Sequence, residues 1–304
     1  MHLVRAGVGQ VRIIDRDVVE QRNLADQVLY TEQDASEGRP KADAAAAALA
    51  GVNADCEVVG IVADYAPGNA LRVTGAADLL VDGADNLETK FLLNDVAVAT
   101  GIPLVYAGCA GTEGSVLAIR PGHTCCLRCV WPKPTESAAR MTCEIRGLLP
   151  GTAAAVAALQ STEALKLLLD LGAGSLCGLL RIDVWNGVLR RVPLPTLGGG
   201  LRSCPACGDH DFAYLRGEHG TIARELCGDD TVLLHAPSAS SAAVDLERLQ
   251  RRHSDNASLR VRPECVHFEI GECRILAFSS GRTLIHGAGG LNRAKSLYAR
   301  YVMG

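Results

Sequence analysis

Two pairs of cysteines carry the most specific local chemistry in this sequence. Cys126 and Cys129, in TCCLRCVWPKP, and Cys204 and Cys207, in SCPACG, each have the C-x-x-C spacing that sets two thiolates on one tight turn. Two such turns complete a tetrahedral sulfur set suited to Zn²⁺. Four protein sulfurs leave no open position, so the metal is expected to be structural, tying the loop after the sheet to the end of the main domain. Cys125 is an alternative to Cys126 as ligand, and buried free thiols are the plain alternative to a metal. A nucleic-acid zinc ribbon is disfavoured, because basic and aromatic residues do not gather around these turns.

A second set of residues lies at the ends of predicted elements. VRIID closes on Asp15, GRPK places Lys41 near a helix start, and DLLVDGADN brings Asp82, Asp85 and Asn86 to where a strand meets a helix. A carboxylate at the carboxyl end of a buried strand, with a lysine at a helix start, describes one side of a nucleotide pocket in an α/β sheet. Such carboxylates hold a ribose hydroxyl or Mg²⁺, and a lysine with helix N-terminal N–H groups neutralises phosphate. Alone, an aspartate or asparagine at such a corner is more often a helix cap. The combination with Asp15 and Lys41 on other segments favours a ligand.

A sheet is needed to bring these segments together, and the chain reads as one. Ala42 to Ala50 has high helix propensity and stops at Gly51; Cys56 to Ile61 reads as a strand, Gly68 to Thr74 as a short helix, and Leu87 to Thr100 has apolar residues at helical spacing before the strand Pro103 to Gly108. Strands alternating with helices predict an α/β, Rossmann-like, mostly parallel sheet. Gly151 to Leu171 is the longest helix candidate, and LLRIDVW and LRRVPLP form a strand pair turning at Asn186 and Gly187. Short strands at TVLLH, CVHFEI, CRILAF and TLIH mark a different pattern after residue 210. The division expected is therefore a nucleotide-binding domain over 1–210 and a small α+β domain over 211–304.

Bulk properties narrow the partners. The 304 residues are 48% hydrophobic and 21% charged, with 30 basic and 34 acidic side chains giving a formal charge of −4, so no global basic field favours nucleic acid. The apolar stretch from Gly151 to Leu169 is broken by Gln160, Ser161, Thr162, Glu163 and Lys166, which suits a buried soluble helix rather than a membrane span. Twelve cysteines without a secretory signal point to a reducing, cytoplasmic setting in which paired cysteines bind metal or react.

The motifs together are more specific than any one of them. IDRDVVEQRNLADQVLY, then GRPK, DGADNLETKFLLND, CLRCVWP, MTCEIRG and SCPACG resemble, in order and spacing, the ThiF/MoeB branch of the ubiquitin-activating-enzyme superfamily, over nearly all of residues 1–210. The resemblance implies ATP- and Mg²⁺-dependent adenylylation of the C-terminal glycine of a ubiquitin-like sulfur carrier ending in Gly-Gly, of the ThiS or MoaD type, by a homodimer, serving sulfur transfer in thiamine or molybdopterin-type cofactor synthesis. It implies that Asp15 binds the ribose, that Asn23 and Lys41 contact the triphosphate, and that Asp85, with Asn86 beside it, positions Mg²⁺ or phosphate. Cys143, in MTCEIRG, falls where some members place a loop cysteine that bonds covalently to carrier or sulfur donor; an unreactive loop thiol is its alternative. The last segment, GRTLIHGAGGLNRAKSLYARYVMG, is similar to the C-terminal extension of some thiamine-type members.

Three departures from the family's pattern accompany the resemblance. The family's initial strand, glycine-rich phosphate turn and N-terminal arm with a trans-acting arginine have no counterpart in this sequence, Asp26 stands where the family has an arginine, and Lys90 stands where an arginine is usual. They set a second expectation beside the enzyme: a truncated, catalytically impaired relative that binds the carrier without turning over ATP. A nicotinamide-dependent dehydrogenase lacks its glycine fingerprint here and explains neither cysteine pair.

Overall fold

Helices and strands alternate through the first third of the chain, and strands dominate its last third. The computed structural model describes residues 1–132, 147–170, 178–194, 204–218, 223–226, 230–235 and 244–303. In chain order the elements are α1 (His2–Arg5), β1 (Gln10–Asp15), α2 (Glu32–Ser36), α3 (Lys41–Ala50), β2 (Glu57–Val62), α4 (Ala70–Thr74), β3 (Leu80–Val81), α5 (Leu87–Thr100), β4 (Leu104–Ala110), β5 (Glu113–Ile119) and α6 (Leu127–Val130). They continue as α7 (Pro150–Leu168), β6 (Leu179–Asp183), β7 (Val188–Val192), β8 (Ala223–Leu226), β9 (Thr231–His235), α8 (Leu246–Arg252), β10 (Arg260–Val261), β11 (Cys265–Ile270), β12 (Cys273–Phe278), β13 (Arg282–His286) and α9 (Leu291–Tyr298). No described helix is long and apolar enough to cross a membrane.

Contacts group these elements into two compact units that interleave in sequence, rather than at a single boundary. The first comprises Met1–Gly9, Arg22–Val28 and Ala70–Glu218; the second comprises Gln10–Gln21, Leu29–Asn69 and His219–Gly304.

In the first unit a five-stranded sheet has the order β3-β4-β5-β6-β7. The parallel pairing that alternation predicts holds for β3 with β4, as it does for β1 with β2 in the second unit. From β4 onward the pairs are antiparallel; for β4 and β5 the tight turn between Ala110 and Glu113 leaves no chain for a crossover. α7 covers β4 and β5 through Val156 and Ala164, which pack with Val105, Ala107 and Val116. That approach requires Gly114, where an added Cβ would sit 2.2 Å from Val156 Cγ2.

In the second unit α3 lies against the parallel pair β1-β2, and a Cβ on Gly60 would meet the Ala42 carbonyl at 2.5 Å, so the alanine-rich helix seats directly on β2. A six-stranded sheet of order β10-β11-β12-β13-β9-β8 forms the middle layer. Its described pairs are all antiparallel. Alternate residues face opposite ways along a strand, and here both faces are buried. Leu276, Phe278 and Leu284 pack with Ala42 and Val62, while Ile275, Ala277 and Ile285 pack with Leu249 and Ala294 of α8 and α9. Double burial is why CRILAF is an unbroken apolar run rather than an alternating one.

Candidate functional site

Asp15 and Lys41 lie in the second unit. β1 ends on Asp15, whose Oδ1 accepts the Asp17 N–H at 2.8 Å, a turn that ends the strand. The following segment is stitched to the start of α3. Val19 N donates to Arg39 O at 2.8 Å and Lys41 N to Asp17 O at 2.9 Å, with Val18 bridged to Pro40. Buried Val18 and Val19 anchor this stitch. Lys41 therefore stands beside the strand end, its Nζ 3.9 Å from Asp17 Oδ2. Burial, reinforced by the negative charge of Asp17, pushes the Asp15 carboxyl up to about 6, against the opposing pull of Lys41.

Asp85, Asn86 and Asn23 lie in the first unit. At the carboxyl end of β3, Asp82 is 1% exposed; its Oδ1 accepts the Ala84 N–H at 2.9 Å and its Oδ2 accepts Lys90 Nζ at 2.8 Å. Lys90 also donates to Ala107 O on β4 at 2.6 Å and lies 5.0 Å over the Tyr106 ring. Gln160 of α7 donates to Asp82 O at 2.7 Å and Val105 O at 2.9 Å. The strand-to-helix turn is thus fixed from three sides, and it delivers Asp85 exposed at its apex. Asn86 caps α5, its Oδ1 accepting Thr89 N–H at 2.9 Å, and donates to Asp85 Oδ1 at 3.2 Å. The cap reading of Asn86 and a ligand reading of Asp85 are both compatible with this geometry. Burial works to lower the Lys90 ammonium, but Asp82 and Tyr106 outweigh it and the shift is upward. Lys90 keeps its charge.

Asn23 is buried in the 3₁₀ turn Gln21–Ala25, its carbonyl accepting Gln27 N–H at 2.9 Å. Asp26 follows directly after this turn, its N–H donating to the same carbonyl at 3.4 Å.

Asp82 stands in the sequence as a corner carboxylate; its partner Lys90, and Gln160, are the contributions that the sequence does not announce. Lys90 registers in the sequence only as a substitute for arginine, yet it stands in an apolar helical stretch ahead of Phe91 and Leu92. A lysine on such a face is buried only with an anionic partner, and that was the available signal.

The four predicted sulfurs come together. Cys126, Cys129, Cys204 and Cys207 have their Sγ atoms all within 4.8 Å of one another. The Sγ separations are 3.6 Å for Cys126–Cys204, 3.4 Å for Cys129–Cys207 and 3.8 Å for Cys126–Cys129. A tetrahedron with Zn–S bonds of about 2.3 Å has edges near 3.8 Å, so the donor set fits zinc. Cys125 is buried but stands outside the cluster, which settles the choice between it and Cys126.

The cluster is anchored on α5. Asn94 Oδ1 accepts Leu127 N–H at 2.7 Å, and Asp95 Oδ2 accepts Tyr214 N–H at 3.0 Å and Leu215 N–H at 3.3 Å. Asp95 is fully buried, and burial raises its carboxyl against those two N–H groups. Arg128 Nη1 reaches Asp211 O at 3.0 Å, and Phe91 stacks on Tyr214 at 5.0 Å. The helix that begins at the Asp85 turn is therefore the one that carries both cysteine turns. Cys143 lies outside the described residues.

A profile of the ThiF family matches residues 1–198. The chain is 38% identical over 304 residues to the Sulfur carrier protein ThiS adenylyltransferase of Bacillus subtilis, covering 99% of this chain and 87% of that protein. It is 33% identical over 278 residues to the Adenylyltransferase and sulfurtransferase MOCS3 of Sus scrofa, covering 90% of this chain but 59% of that longer protein. The SAMP-activating enzyme E1 of Haloferax volcanii is 37% identical over 211 residues, with 68% of this chain and 74% of that protein covered. In fold, the chain is similar to a crystal structure of E. coli MccB with MccA-N7isoASN, with a TM-score of 0.57 at 22% identity over 68% of this chain and 62% of that one.

Proposed function

The chain belongs to the ThiF family, and from that membership we propose that it adenylylates the C-terminal glycine of a ubiquitin-like sulfur-carrier protein, using Mg·ATP. The observation that carries this reading is the match to a ThiS adenylyltransferase along 99% of the chain, which includes every segment bearing Asp15, Asn23, Lys41 and Asp85. In the reaction a carboxylate oxygen of the carrier's terminal glycine bonds to the α-phosphorus of ATP. The bond from that phosphorus to the β-phosphate bridge breaks, and pyrophosphate leaves. Two anions must approach each other, so the protein's task is alignment and charge neutralisation rather than proton transfer.

The chain's residues divide that task. Asp15 accepts hydrogen bonds from the ribose hydroxyls, Lys41 and Asn23 take the phosphate chain, and Asp85, held by Asn86, orients the phosphate–Mg²⁺ end. Mg²⁺ supplies Lewis acidity at the phosphates when bound. The resulting acyl-adenylate is open to a sulfur nucleophile, and Cys143 is the chain's candidate for a covalent step with carrier or donor. Zn²⁺ on Cys126, Cys129, Cys204 and Cys207 has a structural part, since all four positions are filled by protein. The pathway served is thiamine or molybdopterin-type cofactor synthesis, in the cytoplasm, with a homodimer as the working form. Asp26, an anion where the family carries a cation, favours a second reading in which the chain docks the carrier without turning over ATP.

Carrier-dependent exchange of labelled pyrophosphate into ATP separates the two. The first reading expects exchange that disappears when the carrier's terminal glycine is removed and when Lys41→Ala is introduced. Carrier binding with no ATP affinity would establish the second.

A further inference from the structure

β13 of the six-stranded sheet begins with Arg282, which is 3% exposed. Its Nε lies 3.3 Å from Oδ2 of Asp64, in the loop that leaves β2, and Asp64 is itself 2% exposed. The other oxygen of Asp64 accepts Arg16 Nη1 at 2.6 Å. Arg16 sits between Asp15 and Asp17 in sequence, and its Nε is 3.6 Å from Asp17 Oδ1. Asp17 faces Lys41 and holds the Lys41 N–H on its carbonyl. Asp15, Asp17 and Asp64 thus lie in one chain of charges with Arg16, Lys41 and Arg282. The strands and helix around Asp15 supply five of the six charges, and the C-terminal sheet supplies the sixth.

Without Arg282 the buried Asp64 carboxylate loses a cation in a place where screening is weak. Asp64 would also lose the cation that faces its second oxygen, and the oxygen that accepts Arg16 would be held less firmly. We infer that Arg282 is a positioning residue for the nucleotide: through Asp64 it fixes Arg16 and so the turn that sets Asp15 and Asp17 beside Lys41. The inference rests on the nucleotide reading above, and it gives the segment after residue 210 a part in ATP binding.

The test compares wild type, Arg282→Met and Arg282→Lys in the full chain, with ATP affinity read by calorimetry and amide exchange read at Asp17 and Lys41. Arg282→Met is expected to weaken Mg·ATP binding roughly tenfold, the scale of a supporting partner once removed from the ligand. Arg282→Lys is expected to recover to within about threefold of wild type, since charge returns without the planar fork. Carrier KM, kcat at saturating ATP and zinc content stay unchanged, and the Asp17 and Lys41 amides exchange faster in Arg282→Met. An ATP Kd within twofold of wild type in Arg282→Met overturns the inference. Should that variant fail to fold, the paired change Asp64→Asn with Arg282→Gln keeps the packing and removes both charges, and unchanged amide exchange there overturns it equally. A wild-type protein that does not bind Mg·ATP removes the nucleotide reading instead, while faster amide exchange in the variant still supports the holding role of Arg282 and unchanged exchange refutes it.

Discussion

Two strand-to-helix corners in this protein look alike in outline and differ in what they leave available. One joins β3 to α5 and has a single glycine, Gly83; the other joins β13 to α9 through Gly287, Ala288, Gly289 and Gly290. By composition the second is the better phosphate cradle, because Gly287, Gly289 and Gly290 all have positive φ and the turn runs into a helix N-terminus. Its donors are already engaged. Gly287 N and Ala288 N donate to Asp230 O, and Gly289 N donates to both Asp230 carboxylate oxygens at 2.6 and 2.7 Å. The first corner closes its turn on the buried side, through Asp82 and Lys90, and leaves Asp85 exposed at the apex. Accounting for donors and acceptors, not counting glycines, shows that the second corner spends these amides within the chain.

The largest difference between the two corners is expected at the cysteine cluster. The first corner is backed by the cysteine cluster through α5, and the second is not. Stripping zinc with a chelator removes a free energy on the order of 10 kcal/mol in such four-ligand sites. Amide protection is expected to collapse from Leu92 to Val96 while β12 stays protected. Equal loss in both places would erase the distinction between the corners.

Next in size is Lys90→Met, which leaves Asp82 buried without its cation and is expected to cost about 3–5 kcal/mol in urea unfolding together with most of the pyrophosphate exchange. Lys90→Arg should retain both in large part. A stable, fully active Lys90→Met protein would show that the corner is not held by this pair.

A smaller effect separates folding from function by pH. Asp15 titrates near 6 in the folded protein against an ordinary 3.8, so the native state keeps a proton between those values that the unfolded chain has released. Stability then falls as pH rises through that window. On the proposed ribose role of Asp15, ATP affinity should move the other way, dropping about tenfold from pH 7 to pH 5 as that carboxylate is protonated. Asp15→Asn should flatten both profiles. Parallel movement of the two would remove Asp15 from the nucleotide.

The smallest effect is predicted at the glycine corner. Asp230→Ala should cost about 1 kcal/mol, the value of a lost cap, and leave ATP affinity untouched. Weakened ATP binding in that variant would reverse the assignment of the two corners.

Much of this was legible in the residues. Asn86 and Gly101 delimit α5 as a cap and a left-handed stop, and Asn186–Gly187 turns the β6–β7 hairpin. The C-x-x-C spacing identifies all four sulfurs, because two tight turns need only to meet once. Lys90 was harder. Its burial depends on Asp82 and on the Ala107 carbonyl, a group with no side-chain signature and 17 residues away. The interleaved units were harder still, since nothing local in KADAAAAALA says that Ala42 packs against Leu284. The one available hint was CRILAF, too apolar throughout for a strand with a wet face.

That pairing of Ala42 with Leu284 also governs the order in which the molecule comes into being. Nearly all of Ala70–Glu218, the bulk of one unit, has left the ribosome before the strands that complete the other have been translated. The segment bearing Asp15 and Lys41 must wait, its apolar face uncovered, for β12 and β13 at the far end of the message. A nascent chain arrested before residue 273 would hold a finished cysteine-bearing half and an unfinished half in need of a chaperone.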